Sequence, residues 1–258
     1  DAGNDIIAGN AGADYINAGT GNDIAFGGSD EDTIRGFDGH DTLYGGSGDD
    51  AILGQRGRDH LHGDAGNDNL QGGADDDKVF GGAGDDVMEG NDNADCLSGG
   101  DGNDLIYGDN ADGQRTYDEA SDTISGGTGN DTLQGGGGAD LLSGGAGIDT
   151  ASYSSAGAGV TVNLSTNANL GSDAAGDTLT GIEALIGSAF NDILTGDSGS
   201  TSLYGGSGND TLVGGAGDDL LDGGTGNDTL AGEAGHDLLR GGDGNDTYLF
   251  DREGGNDR

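Results

Sequence analysis

An aspartate returns every nine residues along most of this chain, and that period constrains the fold more than any other feature of the sequence. Counted in nines from Gly9, the units read Gly45-Gly46-Ser47-Gly48-Asp49-Asp50-Ala51-Ile52-Leu53 or Gly126-Gly127-Thr128-Gly129-Asn130-Asp131-Thr132-Leu133-Gln134. The pattern is G-G-x-G-x-D-x-U-x, with U a large apolar residue. Position six is Asp5, Asp14, Asp23, Asp32, Asp41, Asp50, Asp59, Asp68, Asp77, Asp86, Asp95 and Asp104 without a gap. Position eight of the same units is Ile7, Ile16, Ala25, Ile34, Leu43, Ile52, Leu61, Leu70, Val79, Met88, Leu97 and Ile106. One apolar side chain per unit, at fixed phase, can be buried only as a row, so the units must stack.

Two interruptions divide the array. After a first block, residues 1–107, a polar insertion covers 108–121 and is nine residues longer than a normal turn, so the phase returns in a second block, 122–152, with Asp122, Asp131, Asp140 and Asp149. A spacer, 153–186, carries Val160-Thr161-Val162-Asn163-Leu164 and Gly181-Ile182-Glu183-Ala184-Leu185, which predict short strands. The third block, 187–249, has Asp192, Asp210, Asp219, Asp228, Asp237 and Asp246 at position six, with Thr201 as the exception, and 250–258 begins a C-terminal cap. Asp1 falls in mid-repeat and no initiator Met precedes it, as expected of a piece of a longer protein.

Positions seven to nine, as in Thr42-Leu43-Tyr44, predict a three-residue strand whose middle side chain points inward, followed by a Gly-rich turn of six. With two units per coil the result is an all-β parallel β-roll, a β-solenoid whose two parallel sheets enclose one thin core. Residues 18 apart then lie about 4.8 Å from one another. That stacking aligns Asp5, Asp23 and Asp41 along one edge and Asp14, Asp32 and Asp50 along the other. Like charges at such spacing repel by roughly 1 kcal/mol even in water.

A hard dication between rungs reverses the sign. Calcium takes six to eight oxygen ligands from carboxylates and backbone carbonyls in flexible geometry, whereas magnesium demands a tight octahedron and zinc wants Cys and His. Gly-rich turns supply carbonyls, and turns that converge several of them need positive φ. The early non-Gly residues at position four, Asp30, Asp75 and Asn93, are the types that tolerate it. Pairing loops 18 apart within each block gives about 17 calcium ions held by the position-six aspartates.

Composition agrees. The formal charge of −41 excludes nucleic acid and anionic membrane as partners, and no apolar run is long enough to span a bilayer. With 31 % apolar and 5 % aromatic residues the chain would be disordered on composition alone. Ordering nine residues costs more than burying one Leu or Ile returns, so metal binding is expected to drive folding. The single Cys96 forms no internal disulfide.

On this nonapeptide the chain resembles the repeats-in-toxin (RTX) family of hemolysin-type calcium-binding proteins, over nearly its whole length. Asp177-Thr-Leu-Thr-Gly-Ile-Glu183 with Gly187-Ser-Ala-Phe-Asn-Asp192 resembles a spacer of that family, and Asp246-Thr247-Tyr248-Leu249-Phe250 the aromatic end of its arrays. The resemblance implies a β-roll, position-six aspartates as calcium ligands with loop carbonyls, export by type I secretion machinery, and folding outside the cell or on its surface. Gln55-Arg56-Gly57-Arg58 and Thr201 depart from the pattern and predict weak or empty sites, and Phe37 and Phe190 are bulky for their turns.

Other functions find less support. His40, His60, His62 and His236 fall at solvent-side positions, no H-E-x-x-H or G-x-S-x-G occurs, and an enzyme activity is not expected of this chain. His60 and His62 share a strand face that could take a stray transition metal. Asp109 to Glu119 fails as an EF-hand because position 12 is Ala120. The Gly-rich turns lack a basic group to hold phosphate. Thr-x-Asn ranks are too scattered for ice binding, and Cys96 could crosslink chains. A stiff spacer in an adhesin or surface layer, or the C-terminal part of a secreted enzyme or toxin, remains as an alternative.

Overall fold

The computed structural model describes residues 2–110 and 120–250. Most of the Asp109 to Glu119 loop and of the cap at 250–258 therefore lies outside the described residues.

Within them the chain is a parallel β-solenoid. Up to the spacer, strands alternate between two walls, so that each pairs with the strand two places on in the sequence. One wall is a nine-stranded sheet from Ile6–Ala11 through Ile24–Ser29 and Thr42–Ser47 to Thr178–Thr180. The other is a twelve-stranded sheet from Tyr15–Thr20 through Thr33–Asp38 and Ala51–Arg56 to Leu238–Asp243. Register is 18 residues: Ile24 pairs with Thr42, Ala25 with Leu43, Phe26 with Tyr44. The position-eight side chains form one buried row between the walls, with Ile34, Leu43, Ile52, Leu61 and Leu70 fully covered.

Most strands are longer than expected. They run six residues, from position seven into position three of the next unit, and only three residues turn. The Gly-Gly pair does not end the ladder because position two swings to positive φ and rejoins it, pairing Gly28 with Gly46 and Ser29 with Ser47. Several non-Gly residues at position two take φ of 70–84°, as at Phe37 (80°), Gln55 (84°) and Glu233 (70°), instead of the 112° of Gly46. Phe37 thus occupies a left-handed slot while keeping its register with Gly19 and Gln55. Asp30, Asp75 and Asn93 adopt φ of 77–79°, as their types predict.

The nine-residue insertion leaves both ladders unbroken. Cys96 pairs with Thr123 and Leu105 with Thr132, a step of 27 in place of 18. The spacer does more. Strands form at Thr161–Asn163 and Ala184–Ile186, and a further one at Thr178–Thr180. The twelve-stranded wall continues through Ala184–Ile186, while the opposite wall ends at Thr178–Thr180 and a five-stranded sheet starts at Thr161–Asn163. Tyr153, Ala156, Val160, Val162 and Ala174 thicken the core at this seam.

A calcium cradle on every rung

Each rung is tied to the one before it by its aspartate. The Asp41 N–H donates to Oδ1 of Asp59 at 2.8 Å, Asp59 N–H to Oδ1 of Asp77 at 2.8 Å, and Asp77 N–H to Oδ1 of Asp95 at 2.7 Å. The same bond joins Asp5 to Asp23, Asp14 to Asp32, Asp50 to Asp68, and Asp86 to Asp104. It crosses the insertion at 2.8–2.9 Å, from Asp95 to Asp122 and from Asp104 to Asp131, so the first two blocks share one pair of ladders. In the last block it links Asp192, Asp210, Asp228 and Asp246, and separately Thr201, Asp219 and Asp237.

The second carboxylate oxygen is the unusual one. Oδ2 of Asp14, Asp23, Asp32, Asp41, Asp50, Asp59, Asp68, Asp77, Asp86, Asp104, Asp131, Asp140, Asp149, Asp210, Asp219 and Asp228 is buried with no hydrogen-bond donor. An uncompensated buried carboxylate oxygen costs several kcal/mol on the order of magnitude of desolvation, so these rungs call for a cation or a proton. Asp5 and Asp246, at the two ends, are half-buried, and Asp95, Asp122 and Asp237 are as deep as their neighbours.

Position-one glycine shapes the space these oxygens face. A Cβ placed on Gly72 would lie 2.5 Å from Asp77 Oδ2 and 2.9 Å from the Gly90 carbonyl oxygen one rung on; at Gly9 the corresponding distances to Asp14 Oδ2 and the Gly27 carbonyl are 2.5 and 2.6 Å. In most turns one point is therefore within about the calcium–oxygen distance of a carboxylate and a carbonyl, and a side chain at position one would fill it, as only Ala18 does beside Asp23. No three His, Cys, Asp or Glu side chains converge among the described residues. Backbone carbonyls must then complete any site, which suits calcium and not zinc.

Burial sets the electrostatics. Desolvation pushes Asp59 and Asp86 up to about 7 and Asp77 and Asp140 up to about 8; the backbone hydrogen bond works against it and neighbouring carboxylates add to it. Without a cation these groups hold protons that an exposed aspartate would have lost.

The family comparison fits this geometry. The RTX calcium-binding nonapeptide repeat model matches ten stretches, many of them overlapping, from 1–34 and 17–52 to 195–230 and 213–248, and leaves out 113–116, 152–176 and 249–258. The chain belongs to the RTX calcium-binding repeat family. No curated protein matched it.

Several RTX rungs in this chain differ from the repeat, and the sequence reading missed two ladder members. Asp177 Oδ1 accepts the Asp140 N–H at 2.9 Å and Glu183 Oε2 the Asp149 N–H at 2.9 Å, so both ladders continue into the spacer. The signal was Asp177-Thr178-Leu179-Thr180-Gly181 and Glu183-Ala184-Leu185-Ile186-Gly187, each a position-six acid two places before an inward Leu. Asp177 Oδ2 takes the Tyr153 hydroxyl at 2.9 Å. Asp192 Oδ2 takes the Ser188 N–H at 2.6 Å, and Ser188 Oγ also accepts the Phe190 N–H. That altered turn keeps Phe190 out of the positive-φ slot.

Arg56 and Arg58 point outward, to Asp38 (3.2 Å) and Asp76 (3.0 Å). His62 is not simply solvated; its ring lies 4.7 Å from Tyr44 and 4.9 Å from Phe80 in a stack that begins at Phe26. Position five was also passed over. Asn22, Asn67 and Asn103 each accept the N–H of the residue 18 or 27 further on, forming an outer amide ladder.

Proposed function

We propose that this chain is a calcium-loaded RTX roll that folds when calcium reaches it outside the cell and serves as the folding and secretion module of a type I secreted bacterial protein. The observation that carries the reading is the row of buried, donorless Oδ2 atoms, which, except in the Asp23 turn where position one is Ala18, face a cradle that a Cβ would fill. Position-six aspartates would hold the ions with position-one carbonyls, at the 22 positions from Asp5 to Asp246 named above. Calcium supplies charge neutralisation between rungs and nothing catalytic. Asp177 and Asp192 would be weaker sites, since Tyr153 and Ser188 already donate to them. Thr201 offers only a hydroxyl.

Folding follows from the same atoms. Each rung orders nine residues around a single inward Leu, Ile or Val, and the charge row opposes closure until a cation joins it. A chain of −41 stays extended at low calcium, a state suited to threading through an export channel. Any catalysis of the parent protein is assigned to sequence outside these 258 residues. Use of the finished roll as a stiff spacer is a second reading, supported by the twelve-stranded wall that runs unbroken through both interruptions.

Far-UV circular dichroism in chelator, with calcium and magnesium added separately, tests the proposal. A cooperative gain of β signal with calcium alone is expected; an ordered spectrum in chelator at neutral pH would overturn it.

A further inference from the structure

Ala18 stands where the rest of the array has glycine. Position one is Gly9, Gly27, Gly36, Gly45 and Gly54 in the neighbouring units, and it stays glycine in every later repeat, including Gly108, which serves Asp122 across the insertion. The remainder of the unit, Gly19-Thr20-Gly21-Asn22-Asp23, follows the pattern. This unit is a calcium motif complete but for its first residue.

The turn around Ala18 is otherwise regular. Asp23 Oδ1 accepts the Asp5 N–H at 2.7 Å, and the Asp23 N–H donates to Oδ1 of Asp41 at 2.8 Å, as on the rungs beyond. Gly19 pairs with Phe37 and Thr20 with Asp38, so the 18-residue register passes through unshifted. Gly19 and Gly21 keep positive φ, at 121° and 124°. Ala18 and Asp23 are both buried, and Oδ2 of Asp23 is among the oxygens without a donor.

What differs is the space. In the unit before, a Cβ on Gly9 would lie 2.5 Å from Asp14 Oδ2 and 2.6 Å from the Gly27 carbonyl oxygen, and Gly36 faces Asp41 Oδ2 and the Gly54 carbonyl in the same way. By that register the methyl carbon of Ala18 stands between Asp23 Oδ2 and the Gly36 carbonyl, on the point an ion would take. Calcium sits about 2.3–2.6 Å from its oxygens. A Cβ holds heavy atoms beyond 3.0 Å, so the methyl both occupies the point and keeps the oxygens back from it.

We propose that Ala18 excludes calcium from the Asp23 cradle, so that Asp23 ties the Asp5 and Asp41 rungs together by hydrogen bonds and is not an ion ligand. The proposal rests on the calcium-loaded roll described above and narrows it: the residue at position one, not the aspartate alone, decides which rung is loaded. It removes Asp23 from the position-six aspartates that hold an ion. Retention of the aspartate is accounted for by Oδ1, which joins the rungs with or without metal. The column of ions along Asp41, Asp59, Asp77 and Asp95 is then broken between Asp23 and Asp41, while the Asp14, Asp32 and Asp50 column on the other edge continues behind Gly9, Gly27 and Gly45.

Native mass spectrometry of the calcium-loaded full chain, on protein whose β signal has been checked by circular dichroism, counts the ions. Ala18→Gly restores the residue that the other units carry and should fold, with about one ion more than the parent. Asp23→Asn keeps an oxygen for the Asp5 N–H and should bind as many ions as the parent. Combined with Ala18→Gly, it should remove the added ion. Asp59→Asn, whose cradle lies behind Gly54, should lose about one ion and is the control for an open site. An unchanged count for Ala18→Gly, or an ion lost through Asp23→Asn alone, while Asp59→Asn loses its own, would overturn this proposal and leave the calcium-loaded roll standing. A chain that binds no calcium, with Asp59→Asn unchanged as well, would overturn both.

Discussion

The Asp41 amide and the Asp59 carboxylate stand in a one-sided relationship: Oδ1 of Asp59 accepts the Asp41 N–H at 2.8 Å, and Oδ2 of the same group meets no donor. The two oxygens have different jobs, one joining rungs and one facing the cradle that it shares with the Gly72 carbonyl.

Two substitutions separate those jobs. Asp59→Asn keeps an oxygen for Asp41 and turns the other atom into a donor for the Gly72 carbonyl, so it should lose about one bound calcium while tolerating chelator better than the parent chain. Asp59→Ala also strands the Asp41 N–H and should cost about 1–3 kcal/mol more. Calcium content by elemental analysis and melting in chelator check both. Equal behaviour of the two variants would mean that Oδ1 and Oδ2 are not divided in this way.

Gly72→Ala probes the cradle itself. Gly72 is not a positive-φ residue, so the substitution tests space and not backbone strain. The new Cβ would stand 2.5 Å from Asp77 Oδ2 and 2.9 Å from the Gly90 carbonyl. Overpacking of this kind costs about 1–3 kcal/mol, and it should appear as a higher calcium midpoint by circular dichroism. Gly73→Ala, at φ 122°, should destabilise through the backbone without the same loss of calcium content. An unchanged midpoint for Gly72→Ala would place the ion elsewhere.

Protons and calcium should compete. Asp59, Asp77, Asp86 and Asp140 are raised to about 7–8 in the folded chain, above the unfolded aspartate. A raised carboxylate stabilises the fold below its unfolded value, near pH 4, and that contribution disappears as pH climbs through about 7–8. In chelator, then, β signal should be stronger at pH 5.5 than at pH 8. In calcium titrations the midpoint should rise as pH falls from 8 to 5.5, with protons released on binding. A midpoint independent of pH would show that the cation does not replace protons at these groups.

Much of this architecture was legible because two periodicities coincide. The position-eight row fixes which side chain turns inward, from Ile34 to Leu239, and the position-six row fixes where charge accumulates. What could not be read depended on long-range register. Whether Asp95 met Asp122 across the insertion turned on the path of residues 108–121, and a period says nothing about that. Glu183 was hidden because a longer acid took the aspartate's place. Phe37 was seen as an oddity, but its place between Gly19 and Gln55 exists only once rungs 18 apart lie side by side.

Tyr153 and Asp177 form a rung in which a hydroxyl meets the oxygen that the repeat aspartates leave without a donor. The Tyr153 hydroxyl donates to Oδ2 of Asp177 at 2.9 Å, in a pair that is almost fully buried, and Oδ1 is taken by the Asp140 N–H. Burial raises Asp177 to about 6, while the hydroxyl and the backbone bond oppose that rise. Tyr153→Phe removes the donor and returns Asp177 to the state of the calcium rungs. At saturating calcium the variant should lose about 1–3 kcal/mol at pH 8, where the carboxylate is charged. The loss should shrink at pH 5, because protonation then removes the charge that the hydroxyl had been stabilising. Melting curves at the two pH values decide the point: a deficit that does not change with pH would make Tyr153 a packing residue only, and an extra bound calcium in the variant would show that the hydroxyl stands in for the ion.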